Sequence, residues 1–516
     1  MIMNKFMKAT DEAMLIYRDE NGAIQIAIDL NRKGDPHVQQ RVKELLSENE
    51  INDENITFVD LNKLQDLKEI HASSGPDDAS ASSENQSAVI KYFTEAVNCK
   101  ASDIHFTIKE NSTIVEMRIN GELYPKDVIT REKGLAYAKT IIFSMCDIAE
   151  PSFQSSRRQD ARLAEKYAKQ AGLFAARYCH LPTDEGLLVV MRTIANDSQN
   201  VQSLKELGFL DEHIKLLEKI QRTPEGMMIL SGPTGSGKST TLRTINANYV
   251  ERTKGLKRLI TIEDPPEGKI AGAIHTPVLP KDRSNPESLR QAWLDSMSAM
   301  MRLDPDAILL GEVREYESAM AAINAALTGH FMSTTVHSND AVSILERLVI
   351  IGVNKELIAD AGLVIGLVSQ RLAQTLCHEC KIPWSAKKAT LSPETVSYLE
   401  ENLQLNGKAI FEGSFFRNYE GCKHCTHSIG EKDAGGINGR TVISEVIRPT
   451  AEFMTIYRNQ GASEARNYWR NKMGGITRVT HALHKIAEGV LDPLVADSIC
   501  PLDEDKFIYR DPEVAL

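Results

Sequence analysis

The stretch Met227–Thr241, MMILSGPTGSGKSTT, determines how the rest of the chain is interpreted. An apolar run, Met227–Leu230, is followed by the pattern G-x-x-x-x-G-K-S, which extends from Gly232 to Ser239. Glycines in such a loop let backbone N–H groups point at phosphate oxygens, and a helix that begins directly after it adds the positive end of its dipole. Lys238 is expected to reach the β- and γ-phosphates, and the Ser239 hydroxyl is expected to ligate Mg²⁺. The residues predicted to bind the nucleotide through this loop are Gly232, Pro233, Thr234, Gly235, Ser236, Gly237, Lys238, Ser239 and Thr240.

Length and composition restrict the class of protein. The chain has 516 residues, of which 42% are hydrophobic and 25% charged, so we expect a globular protein of three or four domains. The net charge of −11 argues against a nucleic-acid motor, which usually carries a basic stripe, and no nucleic-acid partner is expected. The sequence has neither an apolar run of about 18 residues nor a recognisable signal peptide, which favours a cytoplasmic location.

The first half of the chain divides at two polar stretches. Residues 1–71 combine strand-like alternation at Ala23–Ile28 with a helical pattern, which indicates a small accessory module. Residues 72–87 are rich in Ser, Asp, Gly and Ala and are predicted to be a flexible linker. Residues 88–194 alternate between helical and strand patterns and form a predicted α+β domain, and the polar residues 195–202 form a predicted hinge.

From residue 203 the pattern alternates between strands and helices, which predicts an α/β domain with a mostly parallel sheet that extends to residue 376. Ligands of such sheets bind at the carboxyl ends of the strands. Residues 377–440 carry two cysteine pairs, and residues 441–516 are predicted to be helical. The predicted strands of the sheet are Met227–Leu230, Leu259–Ile262, Ala307–Leu310 and Phe331–Thr335.

Acidic residues follow two of these strands. Glu263 comes directly after Leu259–Ile262, and Glu312 follows Ala307–Leu310 after a single glycine. A carboxylate beside a phosphate loop can bind Mg²⁺, directly or through its waters, or deprotonate the attacking water. We assign Glu312 as the general base and Glu263 as the residue that assists the metal, although the pattern also allows the reverse.

His337 follows the fourth strand and is predicted to contact the γ-phosphate. Phosphoryl transfer also needs positive charge around the transition state, which an arginine often supplies. The candidates for that charge are Arg177, Arg192, Arg302 and Arg314.

The sequences CHEC at 377–380 and CKHC at 422–425 are two CxxC pairs. Each pair can supply two ligands of a tetrahedral Zn²⁺, and such a site would be structural. The alternatives are a redox pair or unrelated thiols, and His378, His424 and His427 are alternate ligands. The predicted zinc ligands are Cys377, Cys380, Cys422 and Cys425.

Taken together, residues 88–500 resemble the ATPases that power type II secretion and type IV pilus assembly. The resemblance rests on ordered matches on both sides of the glycine-rich loop. In the α/β domain these are GPTGSGKST, IEDPPE, LDPDAILLGEVRE, ALTGH, TTVHSNDA and QRLAQTLC, and before it ASDIHF, MRINGEL, QDARL and LPTDEGLLVVMR.

The resemblance implies a RecA-like P-loop core preceded by a PAS-like α+β domain, with ATP between them in a homo-hexamer. It implies that Arg177 and Arg192 touch the phosphates, and it places His330 and His337 in a histidine box, with His330 among the residues that bind the nucleotide. Assembly-type members of the family carry the tetracysteine element. The implied role is a motor at the cytoplasmic side of the inner membrane that acts on a platform protein, with residues 1–71 docked to a membrane-anchored partner.

Three alternatives remain open at this point. A conjugation-related or DNA-translocating ATPase could use the same core, although the acidic composition counts against it. A pilus retraction ATPase is a further possibility, which the cysteine pairs disfavour. A nucleotide-sensing scaffold without catalysis is disfavoured by the intact Lys238, Ser239, Glu263 and Glu312.

Overall fold

The computed structural model describes residues 13–18, 24–43 apart from 37 and 41, 56–64 apart from 62, 78–148, 153–196, 201–280, 285–425, 427–429 and 432–509. The chain divides into two compact units. The first consists of Met1–Arg118 and Lys126–Thr193, and the second of Ile119–Pro125 and Ile194–Leu516. No helix among the described residues is long and apolar enough to cross a membrane.

Three strands at the amino-terminal end form a small sheet in the order β1-β2-β3. The alternating pattern of Ala23–Ile28 becomes strand β2, which pairs antiparallel with β1 and parallel with β3. Ile26 and Ile28 are fully buried on one face, so the predicted strand is confirmed. The bounds of these strands are β1 Met14–Arg18, β2 Ile24–Asp29 and β3 Ile56–Val59.

A seven-stranded sheet in the order β6-β5-β4-β10-β9-β8-β7 follows, and β10 pairs antiparallel with β4. Its strands are β4 Ala101–Ile108, β5 Thr113–Ile119, β6 Glu122–Ile129, β7 Cys146–Ile148, β8 Gln159–Leu163, β9 Leu173–Thr183 and β10 Gly186–Ala195. Its helices are α1 Asp78–Asn98, α2 Arg131–Thr140 and α3 Glu165–Gln170, and a π-helical turn at Ile141–Met145 continues α2.

Helix α1 corrects the predicted linker at residues 72–87. The helix begins at Asp78, so residues 78–87 are helical, while residues 72–77 lie outside the described residues. The stretch contains Ala, Glu and Gln, which are good helix formers, and it extends a helix that buries Val89 and Phe93. Half of the predicted hinge at 195–202, residues 197–200, lies outside the described residues, so the hinge stays a prediction.

The second unit is built on a seven-stranded sheet in the order β13-β12-β14-β15-β11-β16-β23. Six strands are parallel, and β23 runs antiparallel to β16 at the edge. Its strands are β11 Gly226–Ser231, β12 Leu259–Glu263, β13 Ile274–Pro277, β14 Ala307–Leu310, β15 Phe331–Val336, β16 Val364–Leu376 and β23 Ile437–Ile447. Between β16 and β23 lie short strands, namely β17 Ile382–Pro383, β18 Gln404–Leu405, β19 Lys408–Ala409, β20 Phe415–Phe416, β21 His427–Ile429 and β22 Lys432–Ala434.

The central strands are buried on both faces, as in parallel sheets covered by helices on two sides. In β11, Met227 and Ile229 belong to one hydrophobic cluster, whereas Met228 and Leu230 belong to another. The helices of this unit are α4 Leu204–Leu207, α5 Asp211–Gln221, α6 Lys238–Arg252, α7 Pro286–Met300, α8 Tyr316–Leu327, α9 Ser343–Ile350, α10 Lys355–Ile358, α11 Trp384–Lys387, α12 Pro393–Asn402, α13 Ala451–Gln460, α14 Ala462–Lys472, α15 Arg478–Ala487, α16 Pro493–Ile499 and α17 Glu504–Ile508.

The four strands predicted in this unit are confirmed to within a residue or two, and the sheet extends beyond them. Strand β16 was not predicted because Ser369, Gln370 and Arg371 interrupt its apolar pattern. Strand β23 corrects the prediction that the region from residue 441 is helical, because that region begins with the second half of a sheet strand. The rest of the described carboxyl-terminal region is helical, as predicted.

Candidate functional site

Parallel pairing brings the carboxyl ends of four strands to one edge of the second unit's sheet. Strand β12 pairs with β14, β14 with β15, and β15 with β11. Four predicted site elements stand at or just beyond these strand ends. They are Glu263, Glu312, His337 and the loop 232–237.

The glycine-rich loop has the backbone that its glycines permit. Gly235 and Gly237 have φ values of +78° and +82°, in the left-handed region, and α6 begins at the next residue, Lys238. Gly232 lies so close to β16 that an added Cβ would be 2.2 Å from the carbonyl oxygen of Gln370. The buried Gln370 side chain donates from Nε2 to the Ser236 carbonyl oxygen at 2.7 Å, so β16 fixes the loop.

Lys238 folds back across this loop. Its Nζ donates to the carbonyl oxygens of Gly232 at 2.7 Å and Pro233 at 3.1 Å. Burial lowers the pKa of Lys238, and the negative charges of Glu312 and Glu267 oppose that shift, so these carboxylates lie within electrostatic range of the ammonium group. The arrangement places a cation over the start of a helix, which suits an anionic ligand.

Buried polar atoms around the loop support the same interpretation. The hydroxyl of Ser236 and Oε1 of Gln370 are buried and have no hydrogen-bond partner among the described residues. Buried polar groups are normally satisfied, and unsatisfied ones beside a phosphate-binding sequence fit a site for a polar ligand. The residues therefore match the nucleotide that the sequence predicts.

Glu312 is the most strongly engaged carboxylate at this edge. Its Oε1 lies 3.0 Å from His337 Nε2, and its Oε2 accepts a hydrogen bond from Arg314 at 2.7 Å. A side chain of the neighbouring strand positions this segment, because the Thr335 hydroxyl donates to the Gly311 carbonyl oxygen at 2.8 Å. The structure thus joins three residues that the sequence analysis named separately.

Glu263 has a different set of partners. Its Oε2 accepts from the Glu267 backbone N–H at 3.3 Å, and its Oε1 lies 3.5 Å from His275 Nδ1. The Ile270 N–H donates to His275 Nε2 at 3.0 Å, so the ring proton is on Nδ1, facing Glu263 and Thr261. Sequence analysis missed His275, because its short edge strand β13 carries no motif.

His330 is not brought to this group. It precedes β15, whereas His337 follows it, and a six-residue strand spans about 20 Å. The His330 carbonyl oxygen accepts from the Gly226 N–H at 3.1 Å, at the amino end of β11. Its ring Nδ1 lies 2.9 Å from the Ala325 carbonyl oxygen. His330 and His337 thus stand at opposite ends of β15, and the binding of nucleotide by His330 stays a prediction.

Arg177 and Arg192 lie on strands β9 and β10 of the first unit. Arg192 donates from Nε to Asp103 Oδ1 at 3.1 Å, and its side chain is 46% exposed. The contact of Arg177 and Arg192 with the phosphates stays a prediction.

The four predicted zinc ligands, Cys377, Cys380, Cys422 and Cys425, form one cluster, and their sulfur atoms all lie within 4.8 Å of one another. The Sγ–Sγ distances are 3.8 Å for Cys377–Cys422 and 3.7 Å for both Cys380–Cys425 and Cys422–Cys425, so the cysteines are free thiols. Four thiolates at 2.3 Å from a central Zn²⁺ would be about 3.8 Å apart, so the spacing fits a tetrahedral metal.

Backbone donors surround one of these sulfurs. Burial opposes ionisation of Cys425, but the N–H groups of Gly436 and Cys422 donate to its Sγ and lower its pKa to about 7. Such N–H···S contacts stabilise a thiolate ligand.

The cysteine-bearing segment contributes to an apolar core that it shares with the carboxyl-terminal region. Trp384, Leu399 and Phe416 are buried together with Val479 and Leu491 from the carboxyl-terminal region. Because this core combines residues from two separate parts of the chain, it could not be predicted from the sequence of the cysteine-bearing segment alone.

Comparison with known proteins identifies the family. A family model described as "Type II/IV secretion system protein" matches residues 79–499. The chain belongs to this family.

Among curated members, the type II secretion system protein E of Dickeya dadantii is 32% identical over 359 residues. That alignment covers 69% of this chain and 63% of the relative, so the chain spans just under two thirds of its length. The type IV pilus assembly ATPase PilB of Thermus thermophilus is 31% identical over 419 residues, which are 80% of this chain and 43% of PilB. The crystal structure of the pilus retraction motor PilT with bound ADP has a TM-score of 0.50 and 21% identity. It covers 82% of this chain and 98% of PilT, and it shows a shared fold.

We expect Gly232→Ala to weaken binding of a fluorescent ATP analogue at least about tenfold, because the new Cβ would meet the Gln370 carbonyl oxygen. Gly413→Ala is the matched control, since nothing lies within 4 Å of its added Cβ. Equal affinity in the two variants would show that the close approach of β16 does not shape the loop.

Proposed function

We propose that this family member hydrolyses ATP at the carboxyl edge of the β11–β16 sheet. The observation that carries the proposal is the joint placement of Lys238 over the glycine-rich loop and of Glu312 between His337 and Arg314. The phosphates would bind to the loop amides and Lys238. The second unit would then act as a RecA-like P-loop core, and the first unit's seven-stranded sheet as the PAS-like domain.

We assign Glu312 as the general base and Glu263 as the carboxylate that assists Mg²⁺ together with Ser239. His337 and Arg314 fix the Glu312 carboxylate from two sides, which orients it toward one direction of attack. Glu263 is oriented by Glu267 and His275 instead. Mg²⁺, when bound, would neutralise charge on the phosphates. Glu312 would position the attacking water, and the loop amides and Lys238 would position the γ-phosphate.

His337 would sense the γ-phosphate through its contact with Glu312, and Arg177 and Arg192 would supply positive charge from the first unit. Hydrolysis would shift the two units about residues 195–202. These assignments extend the family resemblance, and substitution of each residue tests them.

We propose that the chain works as a homo-hexameric motor for pilus or pseudopilus assembly or for type II-like secretion. The names of its relatives support this role, because the D. dadantii protein belongs to a type II secretion system and PilB is a type IV pilus assembly ATPase. The partners would be an inner-membrane platform protein and a membrane-anchored docking protein, with the motor on the cytoplasmic side.

The tetracysteine cluster is proposed to bind Zn²⁺ as a structural ion. Its sulfur spacing is that of a tetrahedral thiolate site, and four sulfur ligands leave no open position for chemistry. The ion would tie the segment after β16 to the segment before β23.

Glu312→Gln should retain ATP binding and lose phosphate release by at least about a hundredfold, because the amide cannot accept the water's proton. Lys238→Ala should lose binding as well. Glu251→Gln, on the exposed side of α6, serves as the matched control and should hydrolyse normally. Full turnover in Glu312→Gln would refute its role as base, and phosphate release stimulated by DNA would favour a translocating motor instead.

A strain that carries Lys238→Ala should lose a surface filament or a secreted protein, and the readout separates the two roles. Loss of pili with normal secretion would assign pilus assembly, whereas the reverse would assign type II-like secretion. A strain in which both processes continue would contradict the motor proposal.

Removal of zinc by a strong chelator should lower the melting temperature of the purified protein, because binding free energy contributes to folding. Metal analysis should find one Zn²⁺ per chain, and Cys422→Ser should reduce that content sharply. Cys146→Ser, outside the cluster, is the control. Stoichiometric zinc in the Cys422→Ser protein would contradict the assignment.

A further inference from the structure

The loop that follows His337 is fixed by side chains from the carboxyl-terminal region. Arg478, the first residue of α15, donates from a terminal guanidinium nitrogen to the Asn339 carbonyl oxygen. Glu445 on β23 accepts from the Ala341 N–H at 3.0 Å. These two contacts fix the backbone of the loop on either side of Asp340.

The Asp340 side chain is fixed from a third element. Arg466 on α14 donates to both of its carboxylate oxygens, at 3.2 Å and 2.9 Å. Asp340 in turn accepts from the Ser343 N–H at the start of α9. A paired guanidinium–carboxylate contact constrains orientation as well as distance. Three successive residues of the loop are thus anchored by residues more than a hundred positions later in the chain.

The anchoring groups are buried and carry charge. Arg478 is 4% exposed and Glu445 is 3% exposed. Burial raises the pKa of Glu445 to about 7, against the attraction of Arg478, whose Nε lies 3.6 Å from Glu445 Oε1. Arg478 also donates to both carboxylate oxygens of Glu504, at 3.0 Å and 3.2 Å.

Arg478 is the group on which these contacts converge, since it touches the loop, β23 and α17 at once. The small cavity at this point is lined by more carboxylates than guanidinium groups. The acidic residues are Asp340, Glu445, Glu504 and Asp505, and the basic ones are Arg466 and Arg478.

The same loop determines where His337 lies. His337 is two residues before Asn339, and its Nε2 is 3.0 Å from Glu312 Oε1. The His337 side chain is 47% exposed, so little packing restrains it apart from its own backbone and Glu312. A shift of the Asn339 backbone would therefore move the imidazole relative to the carboxylate.

We propose that Arg478 is a positioning residue for hydrolysis, which keeps the 338–341 loop, and with it His337, in register with Glu312. The inference rests on the proposed ATPase activity. It also extends that activity, because it makes the carboxyl-terminal helices part of the catalytic geometry. Arg478 touches neither nucleotide nor reacting atoms and acts through the loop backbone.

Arg478→Lys is the decisive variant, because lysine keeps the charge and cannot contact Asn339, Glu445 and Glu504 together. Amide hydrogen exchange over residues 338–343, measured without nucleotide, should accelerate about tenfold or more. The kcat for phosphate release should fall roughly tenfold to a hundredfold, while affinity for an ATP analogue stays within about twofold. Arg458→Lys, which makes the same substitution at an exposed ion pair with Glu356, is the matched control and should change neither quantity.

A double-mutant comparison separates positioning from general stability. In a His337→Ala background, Arg478→Lys should cause little further loss of kcat, because its effect passes through His337. An equal fold-loss in both backgrounds would overturn the proposal, as would unchanged exchange in the 338–343 segment. If the wild-type chain released no phosphate, the ATPase proposal would fail, and the exchange measurement would still decide whether Arg478 fixes the loop.

Glu504→Gln provides a second variant should Arg478→Lys not fold. This substitution weakens the ion pair between Arg478 and the partly exposed side chain of Glu504, and it leaves the guanidinium group of Arg478 in the protein. The same pattern is expected at smaller amplitude, with faster exchange at 338–343 and lower kcat at retained nucleotide affinity. Unchanged exchange and unchanged kcat in this variant would overturn the proposal.

Discussion

The parallel pairing of β12, β14, β15 and β11 is the constraint on which the candidate site depends. Backbone hydrogen bonds between these buried strands set their register, and the register determines which residues stand at the carboxyl ends. Glu263, Glu312 and His337 are therefore aligned beside the glycine-rich loop. Strand β16 adds a second constraint, because its Gln370 donates to the loop itself. The polar groups of the site therefore depend on an apolar sheet for their positions.

Ion pairs and hydrogen bonds then orient the side chains that the sheet brings together. Glu312 is oriented by a histidine and an arginine, and Glu263 by a backbone amide and a second histidine. The two carboxylates occupy distinct environments, which is consistent with the distinct roles that we propose for them. The loop after β15 is in turn connected to β23, α14 and α15, so the polar network extends from the strand ends into the carboxyl-terminal helices.

Sequence patterns predicted the central strands, the loop and the cysteine cluster, because each depends on local spacing or on an uninterrupted apolar run. The sequence patterns failed where the contact partners of a residue lie far away in the sequence. Strand β16 carries the polar residue Gln370, whose side chain donates to the Ser236 carbonyl oxygen, 134 positions earlier in the chain. His275 and Arg478 were not singled out for the same reason, since their partners come from other elements.

The shared core around Trp384 changes how the cysteine-bearing segment is understood. Leu399 and Phe416 pack with Val479 and Leu491, so the segment between β16 and β23 and the helices after β23 bury one apolar surface. Neither part can therefore be treated as a removable module: a chain cut before α15 would expose the inner face of the cysteine segment to water. Exchange of this region between family members would have to carry both pieces together, as a single cassette.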